Sequence, residues 1–428
     1  MNNVGLRLDQ APPFSVPLRF FLTAPLFGAA AAVVLLWAGP SSFASRWNTP
    51  LLAAIHLLTL GFLTMVMIGA LMQLLPVLAG SPLRRPRAVA AAVHVLLVFG
   101  ALALTASFFV PAIALRYAAL GALGVGLAVF VAAAGASLVR AQSNPSVTAM
   151  RLALAGLAVT VLLGLLIGLD WARSLFGVVP MVADTHLAWG LVGWVALLVI
   201  GVAYQVVPMF QLTRAYPPWL RRWLVPVVFA ALLLWTAASS ATTAIPVWLA
   251  HAAAAVMAAA LATFAIVTLR LQTTRKRRLP DATMRFWLLA MVSLLACIAL
   301  WAVQTTSLVA DARLALLAGA WMTVGFAGSV IQGMLYKIVP FLAWLHLQAR
   351  GARYVLPNMK EFLPDSRTLP HVWLHAATVA LIAPAAFAPM PWLYPAAFAL
   401  LASFLWLGWN LVSAALLYRR VLRASPVA

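Results

Sequence analysis

The sequence predicts an all-α polytopic membrane protein: 12 transmembrane helices, organised as three four-helix repeats in a pseudo-threefold arrangement. Three observations predict it: the hydropathy of the chain, a motif that returns at a fixed interval, and an uneven sharing of basic residues between alternate loops. Of the 428 residues, 65% are hydrophobic and 8% charged, with a mean hydropathy of +1.04. Only lipid as solvent tolerates that much apolar surface, which excludes the soluble classes. In hydrocarbon, backbone groups must bond within their own segment or within a closed barrel. These uninterrupted apolar runs are too long for barrel strands, so the spans are helices.

In chain order, the first repeat covers approximately 15–145. Its helix 1, near 19–38, follows residues that include Arg7 and Asp9 and no apolar core, so no cleavable signal peptide is expected and helix 1 itself starts insertion. Helix 2, near 50–76, ends in GFLTMVMIGALMQLLP from Gly61, and helices 3 and 4 follow near 88–108 and 113–136. The second repeat, approximately 146–278, has helix 5 near 150–170, helix 6 near 184–209 with GWVALLVIGVAYQVVP from Gly193, and helices 7 and 8 near 224–241 and 246–270. The third, approximately 279–423, has helix 9 near 284–306, helix 10 near 313–342 with GFAGSVIQGMLYKIVP from Gly325, and helices 11 and 12 near 370–389 and 392–419. The longest polar segment, Arg350 to Arg367, is expected to be a loop joining helices 10 and 11. No extramembrane stretch is long enough to bury a core of its own, so 1–428 reads as a single membrane domain.

The motif prolines Pro76, Pro208 and Pro340 stand 132 residues apart. The glycine pairs Gly61 and Gly69, Gly193 and Gly201, Gly325 and Gly333 are each eight residues apart, a little over two helical turns. Each pair therefore faces nearly one way and admits a neighbouring helix or a flat ligand close to the backbone. Each proline removes a helix hydrogen bond, so a bend or a termination is expected there.

A net charge of +21 suggests nucleic acid until it is mapped onto the loops. One set of loops, with both termini, holds 23 of the 28 Lys and Arg, whereas the opposite loops hold four: Arg46, Arg116, Arg173 and Arg313. That asymmetry puts both termini in the cytoplasm and makes the bilayer, not a nucleic acid, the partner. The densest cluster, Arg275 to Arg278, reads as a topology anchor that meets anionic headgroups. Trp47, Trp171, Trp219 and Trp392 fit interfacial belts. A single cysteine, Cys297, excludes internal disulfides and multi-thiolate metal sites.

With that topology His56, His186 and His251 lie toward the periplasmic face, and His94, His346, His371 and His375 toward the cytoplasm. His56 stands 20 residues before its motif proline and His186 stands 22 before its own. Inside the bilayer Lys337 replaces Gln73 and Gln205 of the other copies and is expected to snorkel to the cytoplasmic interface. Asp184 is expected to cap helix 6; the other reading has it orienting His186.

Twelve helices in three groups of four, cytoplasmic termini, and histidines near the outer ends of helices 2 and 6 resemble the heme–copper oxidase subunit I superfamily. The segment HLAWGLVGWVALLVIGVAYQVVP from His186 is similar to such a helix of C-family oxidases and nitric oxide reductases. The compact NnrS-type proteins, heme- and copper-containing members of bacterial nitric oxide tolerance systems, are a second similar group.

The resemblance implies a bacterial inner-membrane protein of respiratory or nitrogen-oxide metabolism, with heme b and copper as cofactors and a respiratory or electron-transfer partner. It makes His56 an axial heme ligand and His186 a copper ligand, with His186, His251 or Met322 as the second heme ligand. The chain departs from the family at Ala318 and Ala320, where helix 10 would carry two histidines, and in 224–241, where helix 7 would carry a pair. Oxygen or nitric oxide reduction is therefore not expected, and His94, His371 and His375 are expected to be spectrally silent. A transporter or permease, and an assembly subunit of a respiratory complex, are the competing readings. Repeats of four helices keep one membrane orientation, unlike the inverted repeats usual in alternating access.

Overall fold

A computed structural model of the chain describes residues 11–173, 179–239, 245–275, 281–305, 311–349 and 356–424. Among these residues there is no strand, and 12 helices are long and apolar enough to cross a membrane. They are α1 (Ser15–Phe43), α2 (Thr49–Ala79), α3 (Pro86–Ser107), α4 (Ile113–Arg140), α5 (Pro145–Ala172), α6 (Val182–Gln211), α7 (Pro218–Ser239), α8 (Trp248–Thr273), α9 (Ala282–Thr305), α10 (Ala312–Gln348), α11 (Asp365–Phe387) and α12 (Pro389–Ala424). Every predicted span has its helix. Several run beyond their hydropathy windows, because apolarity marks the crossing of the lipid core while the backbone ladder continues past it.

Three local expectations are corrected. Of the bend or termination expected at the motif prolines, the termination does not occur: α2 continues to Ala79, α6 to Gln211 and α10 to Gln348. One lost hydrogen bond is tolerated where no water competes for the rest. The Arg350–Arg367 segment is not all loop. Asn358 and Glu361 form a capping box over the helical turn Met359–Phe362, and α11 starts at Asp365; residues 350–355 lie outside the described residues. Asp184 does not cap α6, because the chain is already helical from Val179; its side chain is exposed in the second turn. Of the basic cluster, 276–278 lie outside the described residues. The four belt tryptophans are exposed near helix ends.

The chain divides into two compact units. One comprises Gln73–Arg278 with Leu294–Ala299. In it α3 and α4 interlock through Gly100 against Leu123 and Gly126 against Leu96. The α6–α7 connection is tied to α8 where the buried Tyr216 hydroxyl meets Thr268 Oγ1 at 2.9 Å, and burial raises that phenol above the usual tyrosine range. The other unit comprises Pro12–Met72, Leu279–Ser293 and Leu300–Ala428. There α1 packs on α2 and α12, and α10 and α11 pack on α12.

One backbone feature recurs with the motif. Eight-residue π-helical stretches interrupt α2 at Leu57–Thr64, α6 at Trp189–Ala196 and α10 at Trp321–Gly328, their starts again 132 residues apart. Such i→i+5 turns are rare and gather at functional sites. The motif glycines receive the preceding helix in one register. Gly61 and Gly69 face Phe27 and Phe20 of α1, Gly193 and Gly201 face Gly156 and Ala149 of α5, and Gly325 and Gly333 face Ser293 and Phe286 of α9. In each case the facing residues are seven apart, two turns of the neighbouring helix.

Candidate functional site

Three helices of the second unit each carry a polar stripe in an otherwise apolar surface. On α10, Ser329, Gln332 and Tyr336 follow at helical spacing; on α11, His371 and His375 lie one turn apart; on α12, Ser403 and Asn410 lie two turns apart. All seven side chains are buried, none more than 5% exposed. Polar groups in hydrocarbon must find partners in the protein, at a cost of about 1–3 kcal/mol for each one left out. The stripes meet for that reason.

The contacts form a chain. Asn410 Nδ2 donates to Tyr336 Oη at 2.8 Å, Tyr336 Oη lies 2.6 Å from His371 Nδ1, and His371 Nε2 lies 2.9 Å from Ser403 Oγ. Ser403 Oγ is 3.2 Å from His375 Nδ1, and His375 Nε2 is 3.0 Å from Ser329 Oγ. Gln332 Nε2 approaches His375 Nδ1 at 3.1 Å. Phe286 of α9 lids the cluster, its ring 5.5 Å from both imidazoles, and Trp406 stacks on His371 at 6.4 Å. Asn410 Oδ1 and, elsewhere on α9, Trp287 Nε1 are buried without a hydrogen-bond partner.

Sequence reasoning placed His371 and His375 by depth alone and missed this cluster. The signal was present: two histidines four apart on α11, faced by polar residues at i, i+3, i+7 on α10 and at i, i+7 on α12. The ion pair of α9 and α10 was also missed. Lys337, expected to snorkel, lies 2.8 Å from Asp281 across the two helices, with 27% and 8% of the respective side chains exposed. Asp281 also caps α9 through the Met284 amide, and the Thr283 hydroxyl donates to the Gly333 carbonyl beside it.

The histidines named from sequence are placed differently. His56 is half-buried on α2, directly before the π stretch, with Nδ1 2.7 Å from the Leu52 carbonyl. His186 is half-buried on α6, with Nδ1 3.0 Å from the Thr160 carbonyl and its ring against Gly164. A carbonyl can only accept, so both rings carry hydrogen on Nδ1, the arrangement in which a ligating histidine has its other nitrogen held in place. His251 is exposed on α8. His56 belongs to one unit, His186 and His251 to the other. Among the described residues no group of three or more His, Cys, Asp or Glu could hold a metal ion. Met322 is buried at the start of the α10 π stretch, and Cys297 is buried in α9.

No protein-family model matches the chain, and no curated protein sequence matches it.

Proposed function

We propose that the chain is a divergent, heme- or copper-binding member of the heme–copper oxidase subunit I scaffold. In this reading three four-helix repeats surround a pseudo-threefold axis, and the protein serves respiratory or nitrogen-oxide metabolism without reducing oxygen or nitric oxide. The observation that carries it is the repeated helix. Glycine pair, π stretch and packing register return together in α2, α6 and α10, and two of those helices bear a histidine whose Nδ1 is held by a carbonyl.

His56 would hold a b-type heme and His186 a copper ion. Each contributes one imidazole nitrogen, which the Leu52 and Thr160 carbonyls keep correctly oriented. When bound, such a group supplies one-electron redox chemistry and affinity for nitric oxide. The chain's own part is to hold each imidazole in a fixed orientation through its carbonyl partner. The missing helix-10 histidines, replaced by Ala318 and Ala320, support the absence of turnover.

The test is heme and copper content of the full-length protein purified in detergent from heme-replete, copper-replete cells. Stoichiometric heme b or copper is the expected result. A preparation free of both sinks this reading and favours the transporter or assembly alternatives.

A further inference from the structure

At the end of α10 one imidazole stands between two carbonyl oxygens. His346 is half-buried in the last turn, with Nδ1 2.8 Å from the Leu342 carbonyl one turn back. Its Nε2 is 3.0 Å from the carbonyl of Pro12, in the segment that leads into α1. A carbonyl can only accept, and a neutral imidazole has one N–H to give. With the ring neutral, one nitrogen would turn a lone pair on a carbonyl oxygen at hydrogen-bond distance. Both contacts are met when both nitrogens carry hydrogen, so the arrangement is that of an imidazolium.

The surroundings suit a cation. The carbonyl end of a helix favours positive charge in its last turn, where His346 stands. Phe14 stacks on the ring at 5.5 Å and 27°, presenting the electron-rich face of its own ring, and Tyr418 of α12 meets Phe14 edge-on at 5.0 Å. The segment before α1 in turn depends on His346. Pro12 and Pro13 have no N–H, so their carbonyls are the backbone groups by which they can be held. The Pro13 carbonyl takes the Val16 amide at 2.8 Å, within the start of α1. The buried Pro12 carbonyl takes the His346 ring.

We propose that His346 is a pH-operated latch between the segment leading into α1 and the end of α10. Closed, the ring has taken one proton from water and donates to Leu342 and Pro12 at once. When that proton returns to water, one N–H remains and one carbonyl is released. Leu342 lies on the ring's own helix and stays within reach, so Pro12 is the partner given up. The tie is therefore present in acid and lost as pH rises through the titration of the ring, which for an ordinary histidine falls between about pH 5 and 8. Protons reach the ring from the helix end: α10 stops two residues on, and Gln348 and Ala349 are exposed. Among the described residues, the charged groups on the packed elements are engaged elsewhere or exposed. Lys337 pairs with Asp281, Lys360 with Asp365, Glu361 caps its own turn, Arg19 bonds the Ser15 carbonyl, and Arg419 and Arg420 are exposed.

The test attaches a nitroxide at Ala11→Cys in the full chain carrying Cys297→Ala, reconstituted in lipid bilayers, and compares its EPR mobility at about pH 5.5 and about pH 8.5, on either side of the imidazole range. The label is expected to be immobilised at the lower pH and mobile at the higher. His346→Gln, whose amide carries no titrating proton, is expected to abolish the difference, and His94→Gln to leave it unchanged. NMR of nitrogen-labelled histidine in the chain with His346 intact gives a reading that needs no substitution there: two ring N–H groups on His346 where the label is immobile, one where it is mobile. Equal mobility at both pH values with His346 intact, a pH response that survives His346→Gln, or a ring with one N–H at about pH 5.5 overturns the latch.

Discussion

Gly156 of α5 and Gly193 of α6 meet backbone to backbone: a Cβ on Gly156 would collide with the Gly193 carbonyl. The equivalent contact on α10 is softer, because a Cβ on Gly325 meets the Ser293 side chain, at 2.7 Å from Oγ.

The two sites are therefore expected to respond differently to alanine. Gly156→Ala forces the helices apart and destabilises by about 1–3 kcal/mol or more, and no side-chain change opposite it helps. Gly325→Ala is rescued in part by Ser293→Gly, which removes the atoms it strikes. Thermal unfolding of the single and double variants in one detergent measures both; equal rescue at the two sites would contradict the packing described.

Ser403 is the shared partner of both buried imidazoles. Ser403→Ala leaves His371 Nε2 and His375 Nδ1 each short of a hydroxyl, at an expected cost of about 1–3 kcal/mol. Ser403→Thr is expected to recover most of it. Denaturation in a fixed detergent–lipid mixture reads the difference.

The sequence made the helices and the recurrence of one motif in α2, α6 and α10 legible because both are written locally, in apolar runs and in a glycine–proline spacing. The π stretches were not legible: an i→i+5 turn has no side-chain period that marks it, and nothing in LLTLGFLT distinguishes it from ordinary helix. His371 and His375 were visible as residues, but their meaning depends on which faces of α10 and α12 turn toward them. Lys337 and Asp281 are 56 residues apart in sequence, and only the seating of α9 on Gly333 brings them together. His56 and His186 were singled out by position, and the structure adds the orientation of their rings.

The Lys337–Asp281 pair is half-shielded, so removing one member should cost more than removing both. Lys337→Met alone leaves a carboxylate that is 8% exposed without its cation. Lys337→Met with Asp281→Asn is expected to be more stable than the sum of the single effects by about 1 kcal/mol. A double-mutant cycle by thermal unfolding gives the coupling; additivity within error would contradict it.

At the outset of α10, Asp311 accepts from the Arg313 amide and pairs with its guanidinium at 2.7 Å. These hydrogen bonds hold the Asp311 carboxyl below its ordinary range. A carboxyl depressed in the folded state contributes stability above its unfolded value, about 3.9, and loses it as pH falls through the folded value. Wild type and Asp311→Asn are therefore expected to differ slightly in melting temperature at neutral pH and to converge in acid. A gap that widens on acidification would reverse the sign.

The central claim is that His56 ligates a heme on the repeated-helix scaffold, and a reduced-minus-oxidised absorbance spectrum of the purified full-length chain tests it most directly. The expected wild-type spectrum has a Soret band and a reduced α band. Both are lost or shifted in His56→Ala, because axial imidazole fixes the iron's spin state and potential, and both are unchanged in His94→Ala. No bands in heme-replete wild type, or bands untouched by His56→Ala, would contradict the account.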